Sequence, residues 1–159
     1  MIKKRFVLFL LLTTATLFAD KAYRYGLKAF QSQSYESALR YFYISARHYN
    51  VNAYDKLGII HDEGLGTGIN KRTAFYWYEK AARHGQADAQ YRLGRLYESG
   101  EGVKKDMKRA AHWYRRAARN GNKEAKLRLA GTKTKALSAK DSKETNSSKK
   151  YFDLTTLWN

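Results

Sequence analysis

The chain of 159 residues contains no cysteine, has few acidic residues and lacks a long uninterrupted apolar run. Without cysteine, a disulfide scaffold, a thiolate nucleophile, a cysteine-ligated zinc or iron–sulfur site and a lipid anchor on cysteine are all excluded. Apolar residues still make up 43% of the chain and aromatic residues 14%, which is enough to form a hydrophobic core. A wholly disordered chain is therefore excluded, and the length fits one domain of modest size.

The main apolar segment of the N-terminus spans only residues 6–18 and follows three consecutive basic residues. A helix of that length covers about 20 Å, which is shorter than the ~30 Å hydrocarbon core of a bilayer. This pattern predicts a signal peptide over residues 1–19, with cleavage near Ala19, and therefore an exported protein that is periplasmic or secreted. An uncleaved membrane anchor is the alternative.

Acidic residues are scarce mainly towards the C-terminus. The whole chain has 31 Lys and Arg against 14 Asp and Glu. Residues 20–103 contain 12 basic and 9 acidic residues, whereas residues 104–150 contain 16 basic and 4 acidic residues. The positive charge is thus concentrated in the C-terminal third.

The sequence repeats itself at an offset of 36 residues. A looser unit precedes the two clear ones, because Gly26 matches Gly58 when its loop is four residues shorter. Fixed-period repeats of this length indicate stacked supersecondary units. The identities at this offset are Ala53, Leu57, Gly58, Gly64, Gly66, Ala74, Trp77, Tyr78, Ala81, Ala82 and Gly85 with their counterparts 36 positions later.

Each unit is predicted to form two helices. Apolar residues recur at spacings of three and four in both halves, and Gly100 and Gly102 separate the halves. Asp106, like its counterpart Asn70, stands where an N-cap oxygen would accept hydrogen bonds from the second helix, and Gly121 or Gly85 follows its end. The sequence predicts an all-α fold with units at about residues 22–50, 53–86 and 89–122, and a capping helix over residues 123–131.

One glycine lies inside a predicted helix of each clear unit. Gly94, like Gly58, costs ~1 kcal/mol relative to alanine unless a neighbouring helix approaches closely. We expect the close approach to involve Ala117, or Ala81 in the other unit, with Trp113 or Trp77 filling the adjacent space. On this interpretation Trp113→Ala would destabilise the fold by ~3–5 kcal/mol.

These residues also carry a family resemblance. The pattern from Ala89 to Gly121, Ala-x-x-x-Leu-Gly-x-x-Tyr-x-x-Gly-x-Gly-Val-x-x-Asp-x-x-x-Ala-x-x-Trp-Tyr-x-x-Ala-Ala-x-x-Gly, resembles the Sel-one-like repeat, a relative of the tetratricopeptide repeat. Residues 53–85 fit nearly as well, and residues 22–49 resemble a looser tetratricopeptide-like unit. The resemblance implies a right-handed α-solenoid of antiparallel helix pairs over residues 20–131. It also implies a scaffold or adaptor role, since several exported bacterial members bind cell-envelope or host partners.

Stacked pairs expose a groove on the face formed by the first helix of each pair, and such grooves bind extended chains. If tetratricopeptide geometry carries over, the resemblance places six side chains outward on this face. They differ between repeats while the packing positions do not, as a surface contacting a protein or peptide would; simple solvation is the alternative. The six are Asp55, Ile59, Asp62, Tyr91, Arg95 and Glu98.

The sequence offers no catalytic, metal or cofactor site. His61 precedes a glycine-rich stretch at residues 64–68, but that stretch follows a helix rather than a strand and contains no Lys-Ser or Lys-Thr, so it is not a nucleotide loop. We therefore predict a non-enzymatic protein-binding scaffold of the bacterial cell envelope. An enzyme that binds or hydrolyses β-lactams is the alternative, since cysteine-rich family members have been linked to that chemistry, although this chain lacks their cysteines.

The basic third allows a second alternative. Lys105, Arg109, Arg116 and Arg119 recur at spacings of four, seven and three, and could bind lipid head groups, lipopolysaccharide phosphates or an acidic partner. A solvated helix face would give the same pattern. Nucleic acid is not expected as a partner of an exported protein.

The C-terminal residues differ from the repeats. Residues 132–150 are rich in Lys, Ser and Thr and are predicted to form a flexible basic linker. Residues 151–159 are apolar and form a candidate docking motif, either for the repeat groove or for a partner. Asn146, two residues after Glu144, fits an acceptor sequence of bacterial N-glycosylation.

Overall fold

The computed structural model describes residues 2–131, with side chains from residue 16 onward. The predicted linker at residues 132–150, the motif at 151–159 and Asn146 therefore lie outside the described residues. Over the described range the chain forms helices and no strand, which confirms the all-α prediction. The helices are α1 (Ile2–Gln31), α2 (Tyr35–Arg47), α3 (Val51–Glu63), α4 (Lys71–Arg83), α5 (Ala87–Ser99), α6 (Met107–Arg119) and α7 (residues 123–131).

Successive helices pack against each other along the chain, so that α1–α2, α3–α4 and α5–α6 form pairs and α7 follows the third pair. The second helix of each clear pair begins at a side-chain cap. The Asn70 side chain accepts a hydrogen bond from the Thr73 amide at 3.0 Å, and Asp106 accepts one from the Arg109 amide at 3.0 Å. These bonds satisfy amides that have no partner inside the helix, and they confirm both predicted N-caps.

The loop between paired helices has three residues in the first pair and seven in the other two. Gly102 allows the longer loop of the third pair to lie against the preceding unit. Its φ of 71° is in the left-handed region, and a Cβ there would overlap the backbone of Lys71. Glycine is therefore the residue that fits this close approach.

An aromatic ring fills the space beside each helical glycine, and it is not the ring that the sequence suggested. A Cβ on Gly94 would lie 2.7 Å from the Tyr114 ring, and Gly58 and Gly26 face Tyr78 and Phe42 in the same way. The assignment to tryptophan was wrong. Trp77 and Trp113 are only half-buried, whereas the rings that face the glycines are exposed by 0% for Phe42, 0% for Tyr78 and 4% for Tyr114.

A ladder of hydrogen bonds connects neighbouring units along one edge. In each step the residue before a first helix donates its side-chain amide to a side-chain oxygen on the preceding first helix. The donors and acceptors are Asn50 to Asp20 at 3.0 Å, Gln86 to Asn52 at 2.8 Å and Asn122 to Asp88 at 2.8 Å. The donors recur at the 36-residue spacing of the repeat, so the ladder links each unit to the one before it in the same way.

The first helix crosses the predicted end of the signal peptide without a break. Ala19 is 2% exposed, and its carbonyl oxygen accepts a 2.8 Å hydrogen bond from the Ser45 hydroxyl of α2. Cleavage near Ala19 stays a prediction. Within the part of the chain that the structure describes, no helix has the length and apolarity needed to cross a bilayer.

Candidate functional site

The face formed by the first helices carries a groove between α3, α5 and α7, which we call the α3–α5 groove. Its volume is about 330 Å³, and charged side chains dominate its lining. Its charged lining residues include Asp62, Lys71, Arg92, Arg95, Glu98 and Arg128.

Three of the six side chains predicted to face outward meet in this groove. Asp62 comes from the end of α3, and Arg95 and Glu98 come from α5. Sequence reasoning missed Lys71, Arg92 and Arg128, because only three outward positions of the first helix in each of the two clear units were carried over from tetratricopeptide geometry. The spacing of three between Arg92 and Arg95 was a usable signal, since it places both on one side of α5.

The carboxylates of the groove are held by neighbouring cations and hydroxyls. Asp62 accepts a 2.7 Å hydrogen bond from Lys71 Nζ and a 3.3 Å bond from the Tyr78 hydroxyl. Glu98 accepts 2.6 Å bonds from the Tyr114 hydroxyl and from Arg128. Burial raises the pKa values of Tyr78 and Tyr114 above their ordinary range, so both remain hydroxyl donors at neutral pH.

Arg95 differs from the other cations in the groove. Its side chain is exposed and makes no ion pair within residues 16–131. The nearby Arg92 Nε is buried without a hydrogen-bond partner in that range and lies 3.9 Å from Asp55 Oδ1. The groove lining carries one more cation than carboxylates, with Lys71, Arg92, Arg95 and Arg128 against Asp62, Glu98 and Glu101.

The other three predicted positions lie elsewhere. Ile59 is only 8% exposed, so its assignment to a ligand-contacting surface was wrong; it belongs to the core between the helices. Tyr91 packs on Tyr114, with ring centroids 5.6 Å apart. Asp55 lines a separate 260 Å³ pocket with Tyr23 and Asp88, and burial raises its pKa, while Arg92 opposes that rise.

Glu98 gives the groove a testable dependence on pH. Burial raises the pKa of Glu98, but the hydrogen bonds from Tyr114 and Arg128 together lower it by more than burial raises it. The pKa of Glu98 therefore lies below the ordinary value. A carboxyl with a depressed folded pKa stabilises the protein above its unfolded pKa and loses that contribution as the pH falls through the folded pKa. We expect the thermal midpoint of the wild type to fall more than that of Glu98→Gln between about pH 5 and pH 3.

Exposed Glu124 provides the matched control for this measurement. Glu124→Gln should show the same acid-induced decrease as the wild type. Equal decreases in the wild type and Glu98→Gln would show that the carboxylate of Glu98 contributes nothing to acid sensitivity.

The residues predicted to bind anions lie on and just before α6. Lys105, Arg109 and Arg119 are exposed, and Arg116 is half-buried with its guanidinium 5.1 Å from the centre of the Trp113 ring. Arg109 forms a 3.2 Å ion pair with Asp106. Over the range that the structure describes, no three histidine, aspartate or glutamate side chains converge as metal ligands would.

Comparison with known proteins identifies the repeats. A family model described as Sel1 repeat matches three consecutive stretches, residues 19–50, 51–86 and 87–122. A search of curated proteins found no match. Among solved structures, a Sel1 repeat protein from Oxalobacter formigenes is 32% identical, with a TM-score of 0.65 over 76% of this chain and 97% of that chain.

Two further solved structures share the fold. A protective antigen present in uropathogenic Escherichia coli strains, displaying an SLR fold, is 26% identical with a TM-score of 0.71 over 74% of this chain. The match spans only 26% of that antigen's length. The cysteine rich protein B of Helicobacter pylori is 24% identical with a TM-score of 0.55, covering 67% of this chain and 91% of that chain. This likeness shows the fold alone.

Sel1 repeats are commonly modules of protein interaction. The three tandem matches account for residues 19–122, which is well over half of the sequence. The chain therefore belongs to the Sel1 repeat family.

Proposed function

We propose that the chain is an exported, non-enzymatic adaptor of the bacterial cell envelope that binds a protein or peptide in the α3–α5 groove. The family is one of helical scaffolds, which supports the general role. The basic and apolar pattern of residues 3–18 supports export. The meeting of three predicted contact residues from two helices in the groove supports it as the binding location.

The observation that carries this proposal is the exposed guanidinium of Arg95. The neighbouring cations Lys71 and Arg128 are engaged by Asp62 and Glu98, whereas Arg95 has no ion pair within residues 16–131. An acceptor from a partner, such as a backbone carbonyl or a carboxylate, would complete the hydrogen bonding of the groove. Burial of such a charged pair at an interface also gives specificity.

We expect a photocrosslinking side chain at position 99, which is exposed and lines the groove, to capture a defined partner in cells, and Arg95→Glu to reduce that capture about tenfold or more. A crosslinker at exposed position 40 of α2 is the matched control, because α2 is a second helix of its pair. Equal capture at positions 99 and 40, or capture that Arg95→Glu leaves unchanged, would place the binding surface elsewhere. N-terminal sequencing of this protein, purified from the same cells, tests export, since cleavage after Ala19 leaves Asp20 as the first residue.

A further inference from the structure

The second helix of the last pair carries a one-sided accumulation of charge, which we call the α6 basic face. Helix α6 contains five cations and no acidic residue, and Lys105 lies just before it. The only ion pair of this face within residues 16–131 joins Arg109 to Asp106, the N-cap of the same helix. The face comprises Lys105, Lys108, Arg109, Arg115, Arg116 and Arg119.

The equivalent helix one repeat earlier shows how this face differs. In α4, Glu79 and Arg83 form a 2.9 Å ion pair at a spacing of four. The residues 36 positions later are Arg115 and Arg119, so the attractive pair is replaced by two like charges at the same spacing. Like charges at this spacing destabilise a helix, which means that α6 has a charge pattern that its own fold does not neutralise.

The change is part of a gradient along the second helices. Helix α2 has two arginines and one glutamate, α4 has four cations and one glutamate, and α6 has five cations without an acid. The increase runs in one direction along the array, towards the end that α7 covers. A surface of this kind attracts an anionic partner to one end of the molecule.

Aromatic rings order two of the guanidinium groups. Arg109 lies 5.6 Å from the centre of the Tyr97 ring, and Arg116 lies 5.1 Å from that of Trp113. An arginine that is already stacked on an aromatic ring loses less conformational entropy when it binds phosphate, and its N–H donors remain available. Arg116 covers one face of the half-buried Trp113 ring, which leaves less of that ring open to stack on a nucleic-acid base.

We propose that the α6 basic face binds the phosphate groups of an anionic lipid surface. The stripe from Lys105 to Arg119 extends over about 20 Å along the helix, so several head groups can be contacted at once. Met107, in the first turn of α6 beside Lys108, is 54% exposed. Exposed apolar side chains next to cations are typical of helices that lie at a membrane interface. This proposal is independent of the α3–α5 groove.

The test is co-sedimentation of the full chain with vesicles of phosphatidylcholine containing about 30% phosphatidylglycerol. We expect the variant Arg115→Glu to reduce partition at least tenfold at ~0.1 M salt, because it changes the face by two charges. The same substitution restores in α6 the acid–base spacing of Glu79 and Arg83, so loss of the helix is not expected. Circular dichroism of the variant checks that the fold is retained.

Arg40→Glu, at an exposed position of α2, is the control with the same change in net charge. It should leave partition within about twofold of the wild type, and all three proteins share the apolar segment at residues 6–18. Equal partition of wild type and Arg115→Glu, or an equal loss with Arg40→Glu, would overturn the proposal. Arg115-dependent binding to duplex DNA in preference to the vesicles would assign the face to nucleic acid instead.

Discussion

Replacing Tyr78 with alanine is expected to lower the free energy of unfolding by about 3–5 kcal/mol, the range for emptying a large buried aromatic site. The Tyr78 ring is 0% exposed and fills the space beside Gly58 in the middle helix pair. Stability in repeat arrays depends on interfaces between neighbours, so a cavity in the middle pair weakens its contacts with both other pairs. Urea denaturation followed by circular dichroism measures this loss.

Two further substitutions distinguish the contribution of the Tyr78 ring from that of its hydroxyl and from that of the adjacent Trp77. Tyr78→Phe keeps the ring and removes only the 3.3 Å hydrogen bond to Asp62, so we expect a loss of about 1 kcal/mol. Trp77→Ala removes a larger but half-buried ring and should cost less than Tyr78→Ala. If Trp77→Ala proved the more damaging change, the tryptophan would be the main packing residue after all.

The second large effect is expected from Gly94→Ala. In an open helix this substitution stabilises by about 1 kcal/mol. Here the new Cβ would lie 2.7 Å from the Tyr114 ring and 3.3 Å from the carbonyl oxygen of Ala110. Neither neighbour can move freely, because Tyr114 is buried and its hydroxyl binds Glu98. Overpacking should therefore destabilise the protein by about 1–3 kcal/mol, measured by the same denaturation.

Gly68→Ala is the matched control, because a Cβ there meets no atom within 4 Å and Gly68 has no positive φ. It should change stability by less than about 0.5 kcal/mol. A double-mutant cycle sharpens the test, since Gly94→Ala should cost less in a Tyr114→Leu background than in the wild type. Additive effects would indicate that the glycine and the ring do not compete for space.

Much of the fold could be predicted because the repeat is written twice in the sequence. Identities at a single offset, together with Asn70 and Asp106 at the start of the second helices, indicated paired helices and their caps. The choice between Trp113 and Tyr114 could not be made in this way. Adjacent residues on a helix point about 100° apart, and both directions fit a broad apolar stripe.

The site was predicted less completely, although one signal was present. Asp62 and Glu98 stand four residues after Gly58 and Gly94, and each accepts a hydrogen bond from the hydroxyl of the buried tyrosine. In the first unit the position four residues after Gly26 is Phe30, and the buried ring there is Phe42, which has no hydroxyl. Acid and hydroxyl are thus present together or absent together across the three units. Ile59 was misplaced because outward positions were transferred from tetratricopeptide geometry without any measure of how closely the next helix approaches.

The buried position of Ala19 sets an order of events for a chain that is to be processed there. A protease acts on polypeptide that has opened locally, and the scissile region here would be an ordered helix held to α2 through Ser45. Removal of the leader is therefore expected to be fastest before the first hairpin closes. A molecule that completes its folding with the leader attached would conceal the cutting point inside its own structure, and its maturation would then be limited by the rate at which α1 detaches.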